Sequence, residues 1–375
     1  MRESKRRPFP LALILALLAL VFGAAGVAYH YMSGPKAVPH DEAEFPGETT
    51  ADAARIAEEE RFWDLLEKQK PVFGQIQHAC FVEDTKFNVT TADPQHDNAF
   101  GGVLTDLMKV ALTPPPERPG RPTILLQNYD QLLSTCPTCG ATYFDIDFAN
   151  LNGGRPPGGV DKLKQNWNLR ELCPQLDKLE KKDWTFDEKA YARYLTQKIA
   201  GFPDDELGYT ALSGAYCSNL SIGYGRDYKI TGTAWYALAA AHFRKYVDAG
   251  AYPNKQAASL VSMTLGEMYR LLGRQADAGT YYSKSRTLGG LDQKTLDILN
   301  ELESLNNKGD FTLQLAPLKG MKEPPIGWYA NQLLPNVNAE LGYQRPFWSR
   351  LDDPATIEGW IRKSIEKPAG WKPEL

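Results

Sequence analysis

The sequence predicts a mainly α-helical protein with a small β-containing module, an N-terminal transmembrane helix and a C-terminal strap rich in proline and tryptophan. Three observations indicate this fold class. Residues 11–32 carry no charge, short β-like segments alternate with breakers over 71–160, and helical periodicity dominates 161–309. With 43% hydrophobic and 23% charged residues, the 375-residue chain can bury a core, which excludes disorder of the whole chain.

Charge and cysteine content exclude two further classes. Lys+Arg 42 against Asp+Glu 46 gives a formal net charge of -4, so the chain has no overall basic field that would attract nucleic acid. Its 5 cysteines are too few for a disulfide-framework fold, and their odd number leaves at least one thiol outside any internal pairing. We therefore expect no nucleic-acid partner.

Residues 1–10 are predicted to be a cytoplasmic tail and residues 11–32 a transmembrane anchor. Four basic residues precede the uncharged run. At about 1.5 Å per residue the run is about 33 Å long, which matches the hydrocarbon core of a bilayer. The positive-inside rule then places the main domain outside the cytoplasm. A cleaved signal peptide is the alternative, since its basic segment, apolar run and small residues have the same composition.

Residues 33–70 are predicted to be a tether followed by a surface helix. Three prolines and little periodicity over 33–50 favour an extended linker, and apolar side chains among charges over 51–70 favour a helix that Pro71 ends. Residues 71–160 follow as the small β-containing module, with short strands predicted at 123–127 and 141–148.

The motif Cys-Pro-Thr-Cys-Gly at residues 136–140 has the character of a metal site. Two cysteines separated by two residues can direct both sulfurs at one Zn²⁺, because proline stiffens the turn and glycine permits its backbone conformation. A local disulfide or a redox-active dithiol formed by Cys136 and Cys139 is the alternative.

A structural Zn²⁺ takes four ligands, so the motif supplies half of a site. We predict that Cys80 joins Cys136 and Cys139, with structural zinc as the candidate cofactor. His78 is a further candidate ligand, and Cys173 and Cys217 rank behind it.

The chain contains no complete catalytic motif. The phosphate-binding loop, dinucleotide fingerprint, zinc-protease and nucleophile-elbow patterns are absent from the sequence. Asp145 and Asp147 form a D-x-D pattern that can hold a divalent cation, but they alternate with apolar residues on a predicted strand, so we interpret them as its solvated face. We predict that the protein is not an enzyme.

Residues 161–309 are predicted to form a helical domain. Thr185 and Glu188 have the spacing of a capping box, and apolar side chains from Trp235 to Val247 recur at helical intervals. His242 lies on that apolar face, where we interpret it as a core histidine rather than a ligand, because no second histidine lies at ligand spacing.

Residues 262–288 have the spacing of a tetratricopeptide repeat. Small residues let two antiparallel helices approach closely while large side chains fill the groove between them. The pattern consists of Leu265, Gly266, Tyr269, Gly273, Ala278, Tyr282 and Ser285. One repeat cannot bury its face alone, so the Trp235 helix and a helix over 291–305 should complete the stack. We predict that Tyr269 and Tyr282 bind a partner.

Residues 310–375 form the predicted strap, with eight prolines and four of the eight tryptophans. Asp353 and Pro354 predict the start of its one clear helix. Aromatic residues on an extended strap can wrap their own domain or bind a partner, and we favour self-wrapping for most of it. Trp328 and Trp348 are the predicted partner contacts.

Two stretches, residues 129–148 and 265–273, resemble an uncharacterised bacterial family that couples Cys-Pro-x-Cys-Gly knuckles to tetratricopeptide-like helices. The resemblance covers residues 72–305. It implies a zinc-ribbon-like segment beside a helical-repeat scaffold, and no established activity. The family has an earlier knuckle where this chain has Cys80 alone.

These features predict a membrane-anchored scaffold or accessory subunit in a bacterial envelope complex, bound to protein partners through its helical-repeat domain. The anchor places it in the bacterial inner membrane as a single-pass protein. An envelope thiol oxidoreductase, or another enzyme that uses Cys136 and Cys139, is the alternative.

Overall fold

The computed structural model describes residues 73–92, 102–103, 109–113, 123–126, 133–143, 156–223, 225–250, 252–314, 326–368 and 371. Over these ranges the protein is mainly α-helical with a small β module, as predicted. None of the helices within them is long and apolar enough to span a membrane. The predicted anchor, tether and surface helix over residues 11–70 lie outside these ranges, as do Asp145 and Asp147.

The described strands form three small antiparallel sheets. The pairs are β1 with β2, β4 with both β3 and β5, and β6 with β7. Their bounds are β1 Phe73–Ala79, β2 Lys86–Ala92, β3 Gly102–Val103, β4 Lys109–Thr113, β5 Thr123–Leu126, β6 Ser134–Thr135 and β7 Thr142–Tyr143. Both predicted strands are confirmed where they are described.

The described helices begin at residue 159, close to the predicted domain boundary. Three short ones come first: α1 Gly159–Asn166, α2 Leu169–Leu172 and α3 Pro174–Asp177. The longer ones are α4 Phe186–Ala200, α5 Asp204–Gly223, α6 Gly232–Ala249, α7 Lys255–Leu271, α8 Gln275–Leu288, α9 Gln293–Asn307, α10 Ile326–Trp348 and α11 Pro354–Ile365.

Helix ends follow the local signals in the sequence. The Glu188 carboxylate accepts the Thr185 backbone N–H at 2.7 Å, which confirms the capping box at the start of α4. The turn between α7 and α8 contains Gly273 at φ +74°, a left-handed conformation that favours glycine. The Asp353 carboxylate accepts the Thr356 N–H at 2.8 Å and so caps α11.

The helices from α4 to α9 pack in chain order, each against the next. Close approach requires small residues at the crossings. A Cβ at Gly214 on α5 would lie 2.6 Å from the ring of Trp235 on α6, and Trp235 is fully buried. The predicted apolar face of α6 is therefore confirmed as core.

The C-terminal region differs from the extended strap predicted by its prolines. Its described part contains a long helix, α10, with Pro335 and Pro346 inside it, besides the predicted helix α11. Proline removes a backbone donor and disfavours a helix interior, so the sequence pattern does not predict α10. Helix α10 packs against α5 and α6, and α11 packs against α6, so both cover the chain's own domain.

Candidate metal centre

Cys80 lies immediately after β1, where the hairpin turns. Its backbone N–H donates to the Thr85 carbonyl at 2.8 Å, and its carbonyl accepts the Asp84 N–H at 2.9 Å. Asp84 takes φ 57°, a left-handed conformation that aspartate tolerates. The tight turn fixes the backbone of Cys80 and thereby the direction of its sulfur.

Cys136 and Cys139 lie on the loop between β6 and β7. The Cys136 N–H donates to the Ala141 carbonyl at 2.9 Å, and the Gly140 N–H donates to the Cys136 carbonyl at 3.0 Å. Gly140 has φ +76°, and a Cβ there would lie 2.8 Å from both Leu169 and Trp184. Glycine is thus required twice, for the turn and for its contact with the helical region.

The three sulfurs converge on one point. All lie within 4.8 Å of one another, and the Cys80 and Cys139 sulfurs are 3.5 Å apart. Tetrahedral zinc with Zn–S bonds of about 2.3 Å separates its sulfur ligands by about 3.8 Å. The arrangement therefore fits a single metal ion bound by three thiolates, and the predicted grouping of Cys80, Cys136 and Cys139 is confirmed as a cluster that could hold a metal.

Hydrogen bonds within the cluster give its thiols different pKa values. Hydrogen bonds from Cys139 and then Cys80 lower the pKa of Cys136, because they stabilise its thiolate. The pKa of Cys139 is raised in turn, chiefly by its hydrogen bond to Cys136 and then by that to Cys80. Cys136 therefore loses its proton more readily than Cys139. A metal ion would displace the remaining thiol protons as it binds.

The surroundings of the cluster are apolar and link it to the helices. Cys80 and Cys136 are fully buried, and the ring of Phe81 meets that of Tyr143 edge-on at 5.5 Å. The indole N–H of Trp167 donates to the Cys139 carbonyl at 3.0 Å. A metal here would join the β1–β2 hairpin to the knuckle, which itself rests on the helical region.

The other candidate ligands lie outside the group. Within the described ranges, the cluster whose sulfurs meet consists of the three cysteines and does not include His78, which pairs with Phe87 across the hairpin. Cys173 approaches Gln175, with its sulfur 3.6 Å from the amide oxygen, and Cys217 is buried on α5.

Three of the four predicted partner-binding residues lie in the protein interior. Tyr269, Tyr282 and Trp348 are at most 2% exposed. A Cβ at Gly266 would lie 2.6 Å from the Tyr282 ring, so this tyrosine fills the contact between α7 and α8. Burial indicates a packing role for these side chains, and partner binding by them stays a prediction. Trp328 lies on α10, but its side chain is outside the described part.

The described part of the chain also contains buried polar groupings that the sequence did not predict. Glu267 and Arg270 form a fully buried ion pair with an N–O distance of 2.6 Å, and the Tyr282 hydroxyl donates to Glu267 at 2.9 Å. The i, i+3 spacing of the pair was a usable signal. Arg270 also donates to the carbonyls of Asp310 and Thr312, which holds the chain after α9 against α7.

A second grouping surrounds His242, whose interpretation as a core residue is confirmed. Its Nδ1 lies 2.6 Å from the Asp204 carboxylate and its Nε2 lies 2.9 Å from the Tyr194 hydroxyl. Tyr194 donates in turn to Glu358 on α11 at 3.3 Å, and Lys198 pairs with Glu358 at 2.5 Å. Burial lowers the pKa of His242. The grouping joins four helices and contributes to the docking of α11.

Comparison of the chain with protein-family models, curated proteins and solved structures finds no match. The resemblance to a knuckle-and-repeat family therefore stays a prediction.

Proposed function

We propose that this chain is a non-catalytic scaffold that binds a protein partner as an accessory subunit of a bacterial envelope complex. The observation that carries the proposal is the packing of α4 to α9 in chain order. Sequential helix arrays of this kind expose extended surfaces, and proteins use such surfaces chiefly to bind other proteins. The α7–α8 hairpin, with Gly266 against Tyr282, serves as a tetratricopeptide-like unit.

The proposed location of the protein in the inner membrane is based on its N-terminal sequence. The uncharged run over 11–32, preceded by basic residues, supports a single-pass anchor in the inner membrane with the main domain extracytoplasmic. An anchored scaffold holds its partner close to the bilayer, which is what an accessory subunit of an envelope complex requires.

The cofactor in this proposal is a structural zinc ion for which Cys80, Cys136 and Cys139 supply three of the four ligands, in a zinc-ribbon-like segment. Thiolates are preferred ligands of zinc, and the convergence of the sulfurs within 4.8 Å supports a single ion. Such an ion would add stability to sheets that are too small to fold alone.

Native purification of the full chain in mild detergent, with crosslinking and mass spectrometry of co-purifying chains, tests the scaffold. We expect a stoichiometric protein partner and retention of residues 11–32. Recovery of a solitary monomer, both with and without crosslinker, would contradict the proposal. A mature N-terminus after residue 32 would instead indicate a cleaved signal peptide.

A thiol oxidoreductase is the second candidate, favoured by the 3.5 Å separation of the Cys80 and Cys139 sulfurs. It requires that Cys139→Ser, which removes a sulfur from both candidate cysteine pairs, abolishes thiol–disulfide exchange activity while the helical fold is retained. Cys173→Ser, a buried cysteine outside the cluster, is the matched control. Equal exchange rates in the two variants would exclude the redox function.

A further inference from the structure

Two arginines enclose a carboxylate that belongs to the chain's own C-terminal region. Arg244 on α6 lies 3.3 Å from a carboxylate oxygen of Asp352, and Arg274 at the start of α8 pairs with the same oxygen. Arg244 also donates to the backbone carbonyl of Asp352 at 3.5 Å. Asp352 lies in the connection between α10 and α11, so the contact brings three separate parts of the fold together.

The geometry of Arg274 is set by neighbours other than Asp352. Its guanidinium lies 4.4 Å from the centre of the Tyr269 ring, and its Nε donates to the Asp277 carboxylate at 2.7 Å. The Tyr269 ring is itself held by the ring of Tyr281 at 5.5 Å. Stacking and ion pairing therefore hold one guanidinium face in place, which lowers the entropic cost of binding a carboxylate.

Another carboxylate can replace Asp352 in its ion pairs with the two arginines. The side chain of Asp352 is 41% exposed, that of Arg244 is 35% exposed and that of Arg274 is 20% exposed. Ion pairs open to solvent are weak, because water and salt compete with them. Helix α11 does not depend on Asp352 for its cap, since Asp353 supplies that cap. Release of Asp352 would therefore leave α11 capped.

We propose that Arg244 and Arg274 form a binding site for an acidic segment of a protein partner, and that Asp352 occupies this site until the partner displaces it. The inference rests on the proposed scaffold function and adds the chemistry of the partner. Two arginines and Asp277 leave one net positive charge, which matches a single carboxylate better than a doubly charged phosphate. The aromatic pair Tyr269 and Tyr281 borders Arg274.

Titration of the full chain in mild detergent with a capped acidic peptide, acetyl-Gly-Asp-Asp-Trp-Gly-amide, tests the site. Asp352→Asn removes the internal carboxylate and keeps its shape, so we expect it to bind the peptide about tenfold more tightly than the wild type. Asp297→Asn, the same change on α9, should bind like the wild type. The corresponding peptide with asparagine in place of aspartate should not bind.

The gain in peptide affinity should disappear when Arg244→Gln or Arg274→Gln is added to Asp352→Asn. Equal peptide affinity in Asp352→Asn and the wild type, or retention of the gain without the arginines, would overturn the proposal. A partner recovered equally well by the wild type and by the Arg244→Gln/Arg274→Gln variant would also overturn this site, while it would leave the scaffold function intact.

A measurement on the wild type covers the case in which Asp352→Asn fails to fold. In the wild type, Asp352 competes with the peptide as part of the same chain, and such a tethered competitor acts at an effective concentration in the millimolar range. We therefore expect peptide at about 10 mM to bind the wild type and to be released by salt. No binding at that concentration would overturn the proposal.

Discussion

Gly266 shows how a single residue determines the contact between two helices. It lies on α7, where a Cβ would meet the Tyr282 ring at 2.6 Å and the Ala278 carbonyl at 3.2 Å. Tyr282 is fully buried and its hydroxyl donates to Glu267, so the ring has no free space to move into. The small-residue pattern predicted this close approach, but the burial of the Glu267–Arg270 ion pair beside it became apparent only in the fold.

Gly266→Ala should therefore destabilise the protein. Overpacking a tightly filled helix contact costs about 1–3 kcal/mol, which outweighs the gain in helix propensity. Gly279→Ala on α8 is the matched control, since its Cβ would meet only Asn306, at an ordinary 3.7 Å. We expect that change to be neutral or to stabilise by up to about 1 kcal/mol. Urea unfolding followed by circular dichroism compares the two, and equal midpoints would contradict this account.

At the scale of elements, Asp187 ties the first turn of α4 to the chain that enters α6. One carboxylate oxygen accepts the backbone N–H groups of Lys229 and Ile230, each at 2.7 Å. Asp187 is fully buried, and burial raises its pKa to about 6 despite those two hydrogen bonds. The ordinary value is about 3.9, so the folded protein holds this proton more tightly than the unfolded chain.

This linkage has a definite sign. Between about pH 4 and pH 6 the native state binds more protons at Asp187 than the unfolded state does, so its contribution to stability grows as the pH falls. Relative to Asp187→Asn, the wild type should gain about 1–3 kcal/mol in unfolding free energy between pH 7 and pH 4. Urea unfolding across this range measures it, and the comparison cancels other titrating groups. A difference independent of pH would refute the linkage.

Asp161→Asn on α1 is the control for this substitution, because Asp161 is exposed. It should not reproduce the change seen with Asp187→Asn. The tie from Asp187 to residues 229 and 230 could not be read from the sequence, since it joins positions more than 40 residues apart. The capping box at Thr185 and Glu188 could, because its partners are three residues apart.

At the scale of the whole molecule, the metal would stabilise the β module, whereas packing between helices stabilises the helical region without it. The described sheets are short, whereas most of the described buried apolar side chains lie in the helical region. Chelation should therefore loosen the described strands between residues 73 and 143 and leave the helical circular dichroism signal largely unchanged. Limited proteolysis should show new cleavage within that range after the metal is removed.

Cys80→Ser should reduce metal content from about one zinc per chain to a small fraction, as plasma emission analysis can measure. Two remaining thiolates are too few for a stable structural site. Cys173→Ser should retain the metal, since its sulfur lies outside the cluster. Full zinc occupancy in Cys80→Ser would contradict the proposed ligand set.

Local signals in the chain were sufficient for the helical class, the capping box, the α7–α8 turn and the start of α11. Each depends on residues within a few positions of one another, so backbone conformation and hydrogen bonding alone decide it. The cysteines of the metal cluster could also be predicted, because two cysteines with the Cys-Pro-Thr-Cys-Gly spacing can direct both sulfurs at one metal ion.

Only the tertiary structure decided which distant groups meet. Cys80 and Cys139 are 59 positions apart, and the hairpin and the knuckle bring their sulfurs to 3.5 Å. Helix α10 forms despite Pro335 and Pro346, and packing against α5 and α6 can offset the local cost of proline. Burial of Tyr269, Tyr282 and Trp348 likewise follows from helix packing, since an aromatic residue has the same local pattern in a core and on a binding surface.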